Sequence, residues 1–490
     1  MRKENVVYIS ISVLLTSALA VVVYFSQAWS LAAMEQQQLF MYDWGYLTDL
    51  LKRGGIGLIT ARFAVQFFVN PVASSCITAL LLGGSAWMLW RTVSRFVSIP
   101  EFYPLCWTPS LVVACLLRVP EASFLPVTRL FLASLLLVLA SSALKPKSRS
   151  ETSTFHIFAA STIGCAVLIA FLTIYPKVAN PAYDELCRLE YLTINERYEE
   201  LIDDVPKRAL SPGELNYVNH ALAETGRLGD ELFSVRQNSP FGLFTYADGY
   251  ENMPLSAHVL YSMGDMAAAE EVAFNAFQAK YGYNPSMLKL LSKVEMMRGC
   301  HETASKYLDL LSKSLYYRKW AKQYLHHLQD GSPVEEIERG SRNMHGDDGY
   351  LVMSVSLFSD LVNIVRTNPS DVKAAEYALS FLLLAKDFTG VRDFIAEFWG
   401  KPCLLRLPKH AQEALVFFYD YFHTMDESYA ASLGIDHQTY SDYLSTDFLW
   451  CCNHGLEKET IDRFEQFKSS SSMNGFRNTF WYYLLYEKID

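Results

Sequence analysis

Charge is scarce at the front of this sequence, and the little there is leans basic. Residues 1–177 hold 13 Lys and Arg against 7 Asp and Glu, whereas residues 178–490 hold 29 against 45. A front this poor in charge is built to be solvated by lipid. The back is strongly acidic, which argues against nucleic acid as a partner because phosphate binding needs Lys and Arg. Also missing are a glycine-rich phosphate loop, a dinucleotide fingerprint, a nucleophile elbow and a zinc-protease helix, so no cofactor is expected. Nine cysteines are present. Cys76, Cys106, Cys115 and Cys165 sit in or beside apolar runs, where they act as small apolar side chains. Cys187, Cys300, Cys403, Cys451 and Cys452 are odd in number and lack a metal-ligand spacing; one disulfide is compatible with an oxidising compartment, but its pairing is not legible. Adjacent His326 and His327 point about 100° apart on a helix and cannot easily share an ion with His301 or His345. Asp347-Asp348, between two glycines, reads as a solvated turn.

What the front has instead is long apolar runs. Val6 to Ala28 carries no charge and is long enough for a ~30 Å hydrocarbon core. A cleaved signal peptide is the rival reading there. Further spans are expected over 72–90, 102–117, 125–144 and 155–175. Pro104 and Pro109 are tolerable in the third span, and Arg129 can snorkel from the fourth. The stretch 56–69, which carries Arg62 and Gln66, is short for a span and reads as an interfacial or re-entrant helix. With five spans the basic segments Arg2/Lys3, Arg91/Arg95 and Lys145/Lys147/Arg149 all fall on one side. By the positive-inside rule that side is cytoplasmic, and everything after Lys177 lies outside.

After Lys177 the pattern becomes amphipathic and helical, with turns every fifteen to twenty residues. Leu255–Phe277 reads as a hairpin turning at Met263-Gly264-Asp265, and Met287–Leu311 as a second turning at Arg298-Gly299-Cys300. The two glycines are 35 residues apart, close to the 34-residue tetratricopeptide period. Gly226 marks an earlier degenerate unit, Asp184 to Ile202 supplies a helix or two before it, and Lys386-Asp387 turns a later unit opened by Asn368-Pro369. The expected fold is all-α: a transmembrane domain over 1–177 with about five spans, tetratricopeptide-like helical repeats over 178–400 stacked as an α-solenoid, and an aromatic-rich helical cap over 401–490.

Glu35-Gln36-Gln37-Gln38-Leu39-Phe40, then Gly54-Gly55-Ile56-Gly57, the Arg62–Phe68 run and Asn70-Pro71, together with Asn368–Phe388, resemble a family of uncharacterised multi-pass proteins of Bacteroidetes. The resemblance brings no activity, but it implies a Gram-negative envelope in which the outer compartment is the periplasm. The first outer loop also resembles that of C-type membrane glycosyltransferases, although an adjacent acidic pair is lacking and five spans are few for such an enzyme.

The leading expectation is a multi-pass inner-membrane protein presenting a periplasmic helical-repeat domain to a protein partner, as a scaffold or in assembly. Tyr261, Lys289, Lys293 and Glu295, on the first helices of their hairpins, are the expected partner-binding residues. Lys52, Arg53 and Arg62 are expected to meet lipid phosphate. The alternative is an envelope enzyme acting on a lipid-linked substrate, with Glu35, Asp43 and Asp49 as acid, base or ligand. A transporter role lacks the buried intramembrane charges an ion path needs.

Overall fold

The structure is a computed structural model that describes residues 3–97, 99–119, 122–143, 154–178, 180–205, 208–244, 253–278, 283–343, 357–422, 426–445 and 477–486. Arg2, Lys145, Lys147, Arg149, His345, Asp347, Asp348, Cys451 and Cys452 lie outside the described residues. Among the described residues every regular element is helical. The chain forms two compact units. The first comprises 1–191 with two later segments, 281–286 and 308–325; the second comprises 192–280, 287–307 and 326–490.

In the first unit, α1 (Lys3–Gln37) continues beyond the apolar run and breaks regularity only at Gln27. It packs along α3 (Pro71–Phe96), started by the Asn70 N-cap and by proline at the first turn. The approach is close, because a Cβ at Gly83 would run into Thr16 Oγ1, as expected where small residues let membrane helices meet. Leu19, Val23, Leu31, Phe68, Leu82, Phe124 and Val127 fill the core between these helices and α6 (Leu125–Ser142).

Between α1 and α3, α2 (Trp44–Val65) is two helices merged at Gly55, whose φ of 70° only glycine adopts readily. The part after Gly55 rises about 15 Å, half of a ~30 Å hydrocarbon core, so it cannot cross a bilayer alone. It packs on α6 instead, where Thr128 Oγ1 donates to Gly57 O at 3.0 Å.

Among the described residues three helical stretches are long and apolar enough to cross a membrane: Val7–Gln37, Pro71–Phe96 and Leu125–Ser142. The stretch expected as one span over 102–117 breaks at Cys106-Trp107 into α4 (Phe102–Leu105) and α5 (Thr108–Leu116), where Pro109 suits the start of a new helix. The last apolar run forms α7 (Thr154–Ile174).

Next come α8 (Pro181–Ile194) and then, in the second unit, α9 (Tyr198–Asp203), α10 (Pro212–Glu224), α11 (Leu228–Glu231), α12 (Met253–Ser262) and α13 (Met266–Gln278). They are followed by α14 (Pro285–Met297), α15 (His301–Ser312), α16 (Arg318–Asp330), α17 (Glu335–Asn343), α18 (Leu357–Thr367), α19 (Val372–Leu384) and α20 (Phe388–Phe398). The last described are α21 (Lys409–Phe422), α22 (Glu427–Ser432), α23 (His437–Ser445) and α24 (Phe480–Tyr486).

One turn recurs through this series. Glu196, Gly226, Gly264, Gly299, Lys386 and Gly434 all have positive φ. In each case the next N–H reaches the carbonyl five residues before it: Arg197 to Leu192, Arg227 to Leu222, Asp265 to Leu260, Cys300 to Glu295, Asp387 to Leu382 and Ile435 to Ala430, at 2.8–3.1 Å. This is the Schellman closure, which satisfies the last carbonyls of one helix and turns the chain into the next.

Sequence neighbours such as α12 and α13, or α19 and α20, pack as pairs. The unit also closes on itself, which an open stack with neighbour-only contacts would not do: α11 packs on α19 and α21, Lys373 Nζ meets Glu224 Oε2 at 2.7 Å, and Arg406 pairs with Asp230. Of the expected cap, the described Phe480, Trp481 and Tyr483 are buried, with Trp481 Nε1 donating to Glu413 O at 2.8 Å and Tyr483 OH to Leu384 O at 2.7 Å.

Candidate functional site

The loop between α1 and α2, the place in the sequence with the best claim to chemistry, is held from several sides within the first unit. Glu35 is 8% exposed, and its Oε2 accepts from the Tyr317 hydroxyl at 2.8 Å. Enclosure and this carboxylate push the Tyr317 phenol well above its ordinary value, so it remains the donor. Asp43 caps α2 by accepting from Tyr46 N at 3.0 Å, and its other oxygen meets Lys313 Nζ at 3.1 Å. Those two contacts hold the Asp43 carboxyl below its usual range. A carboxylate stabilised in this way is a weak base.

Backbone bonds complete the clasp: Leu39 N to Tyr283 O at 3.0 Å and Tyr42 N to Lys313 O at 2.8 Å. Glu190, beside Gln37, is 9% exposed, and burial raises its carboxyl to about 7. Asp49 is not drawn into the clasp; it pairs with Arg53 one turn away on an exposed helix face.

Of the three expected phosphate contacts, Lys52 and Arg53 are exposed. Arg62 is 8% exposed and turns inward beside Tyr46, because its helix is packed rather than lying free.

The four expected partner-binding residues fare unequally. Glu295 is 3% exposed, and burial followed by the neighbouring Glu270 charge raises its carboxyl; Glu270 itself pairs with Arg298. Lys293 is largely covered and pairs with Glu336. Tyr261 and Lys289 are half-buried and keep some open surface. Local periodicity does not report that the second unit covers helices such as α10 and α19 on nearly all faces.

A buried polar group in the second unit escaped the sequence reading. Glu224 bonds Lys373 and lies near His220, one turn back on α10. Burial depresses His220 to about 4, and it depresses His258 to about 3 with the His220 and lysine charges adding to it. His220 Nδ1 and the Tyr377 hydroxyl are buried without a hydrogen-bond partner among the described residues. Each of these residues reads locally as an ordinary helix position, so no sequence signal marks them. Among the described residues no group of three His, Cys, Asp or Glu is placed to hold a metal, and no disulfide joins the described cysteines.

No curated protein and no solved structure matches the chain. A family described as a family of unknown function (DUF6057) matches residues 5–175 and 115–487, which together span nearly the whole sequence. The chain therefore belongs to that family of unknown function, DUF6057.

Proposed function

We propose that this is a multi-pass envelope protein whose second unit, a tetratricopeptide-like set of helical hairpins, binds a protein partner as a scaffold or assembly factor. The observation that carries the reading is the sixfold recurrence of one helix–turn–helix closure, from Glu196 to Gly434. Recurring hairpins are an architecture for presenting surface rather than for assembling a reactive centre. A cytoplasmic N-terminus and a periplasmic second unit, in a Bacteroidetes inner-membrane protein, follow on this reading if the shorter apolar stretches Phe102–Leu116 and Phe158–Ile174 cross the membrane beside the three longer helices, because the three basic segments then share one side. Tyr261 and Lys289 are the partner-facing residues this reading retains, and Lys52 and Arg53 meet lipid phosphate.

The engagement of Glu35 by Tyr317 and of Asp43 by Lys313 speaks against the glycosyltransferase-like alternative. Complementation by a Glu35→Gln/Asp43→Asn variant tests the choice. Full activity in cells is expected; loss of activity from a stably folded variant would revive the enzyme reading.

A further inference from the structure

Within the first unit α1, α5 and α7 enclose a cavity of about 700 Å³ that the proposed function does not use. Leu15 and Leu19 of α1, Trp107 and Leu111 at α5, and Gly164 and Leu168 of α7 form its walls. Leu19 and Trp107 are each only 4% exposed and define the inner wall, whereas Val7, Ile11 and Leu172 line the cavity and are also exposed. The space therefore opens sideways onto the apolar surface of the unit.

Its room comes from small side chains, Ala18, Ala160, Ser161 and Gly164. Packing does not require the glycine, since a Cβ there would meet Pro104 Cγ at an ordinary 3.5 Å. Of the polar groups at the wall, the Tyr103 hydroxyl is occupied with Ser12 Oγ at 2.8 Å. A space this apolar offers ordered water too few partners, and leaving it empty would forfeit dispersion contacts along every wall.

We propose that the cavity holds one acyl chain of a bilayer phospholipid. The volume falls in the ~300–1,000 Å³ range of ligand sites. The lining runs from Val7 to Val22 of α1, a rise of about 22 Å at 1.5 Å per residue. One leaflet contributes about half of a ~30 Å hydrocarbon core, so a single-leaflet chain fits lengthwise and a longer polyprenyl chain does not. The exposed Val7, Ile11 and Leu172 rim lets the chain enter from the side while its headgroup stays at the membrane surface.

The proposal rests on the first unit being membrane-embedded, and one experiment separates the two claims. The full chain is reconstituted into phosphatidylethanolamine/phosphatidylglycerol vesicles containing a phosphatidylcholine with a photoactivatable diazirine on its acyl chain. After irradiation the labelled residues are mapped by mass spectrometry. Label is expected on Leu19, Trp107 and Leu111 as well as on the outward-facing Leu136 and Leu139. In an Ala18→Phe/Gly164→Leu variant, label on the first group should fall several-fold while the second group is unchanged. The wild-type pattern stands as a test even if that variant does not fold. Label on Leu136 and Leu139 without label on Leu19, Trp107 and Leu111 overturns the proposal. Absence of label on Leu136 and Leu139 overturns the membrane reading itself. Displacement by a polyprenyl phosphate but not by excess phosphatidylglycerol, or a dimer cross-linked through α7 with the cavity unlabelled, assigns a different occupant and overturns it as well.

Discussion

The Tyr317 hydroxyl donates to Glu35 Oε2 at 2.8 Å and joins positions 282 residues apart. Together with the Asp43–Lys313 pair, it makes the loop after the first apolar helix a clasp for a segment from far down the chain. Two of the three acids that mark this region in the sequence, Glu35 and Asp43, are engaged in that clasp, whereas Asp49 pairs with Arg53.

Tyr317→Phe should therefore lower the unfolding midpoint of the purified full-length protein. It leaves a buried carboxylate oxygen without that donor, a loss of about 2 kcal/mol for a hydrogen bond to a charged group. Glu35→Gln should cost less, because the amide oxygen still accepts. Thermal unfolding in detergent checks both, and an unchanged midpoint for Tyr317→Phe would remove the clasp from the account.

The recurring turn predicts opposite effects at two kinds of position. Gly226 and Gly299 have φ of 68° and 75°, and a Cβ at either would meet nothing within 4 Å, so alanine there pays only backbone strain, about 1–2 kcal/mol. Glu196 bears the same strain already, at φ 55°. Glu196→Gly should stabilise by up to about 1 kcal/mol, with the greater chain freedom of glycine offsetting part of the gain. Denaturant melts of the three variants decide the matter, and a destabilised Glu196→Gly would contradict the shared turn geometry.

These turns also show what was legible. Gly226, Gly264 and Gly299 mark their hairpins in the sequence because positive φ selects glycine, and Lys386-Asp387 was readable from the helices on either side. Glu196 carries the same turn without the glycine that would announce it. The apolar run ending at Ala28 gave no sign that α1 continues to Gln37, since a helix needs only the absence of a breaker to go on. The clasp was illegible for a different reason: no local periodicity reports that Glu35 will meet Tyr317, or that Glu224 will meet Lys373. The all-helical class follows from short-range pattern, whereas closure of the second unit depends on long-range pairs.

Acidity should weaken the second unit through His220. Its folded value of about 4 lies below the ordinary 6.5, so the unfolded chain takes the proton first. The stability it contributes is complete above pH 6.5 and is lost as the pH falls toward 4, by at most ~1.4 kcal/mol per pH unit. Glu376 works the other way. Burial raises it to about 7 from an ordinary 4.5, so its contribution is complete below pH 4.5 and is lost as the pH rises toward 7. Compared with wild type, His220→Phe should gain midpoint as the pH falls from 6.5 to 4, and Glu376→Gln should gain as it rises from 4.5 to 7. Unfolding scans across that range check the two slopes, and parallel curves for all three proteins would contradict the assigned directions.

In the proposed role the second unit engages a protein partner through surface that includes Lys289 and Tyr261. Its most direct test is a photocross-linking amino acid placed at each of these positions in the full-length protein, irradiated in native membranes. A discrete adduct of one partner is expected at both positions, absent from a probe at Arg53 and lost when Lys289→Glu is combined with the probe at Tyr261. Equal, diffuse labelling at all three positions, or an adduct indifferent to Lys289→Glu, would contradict it.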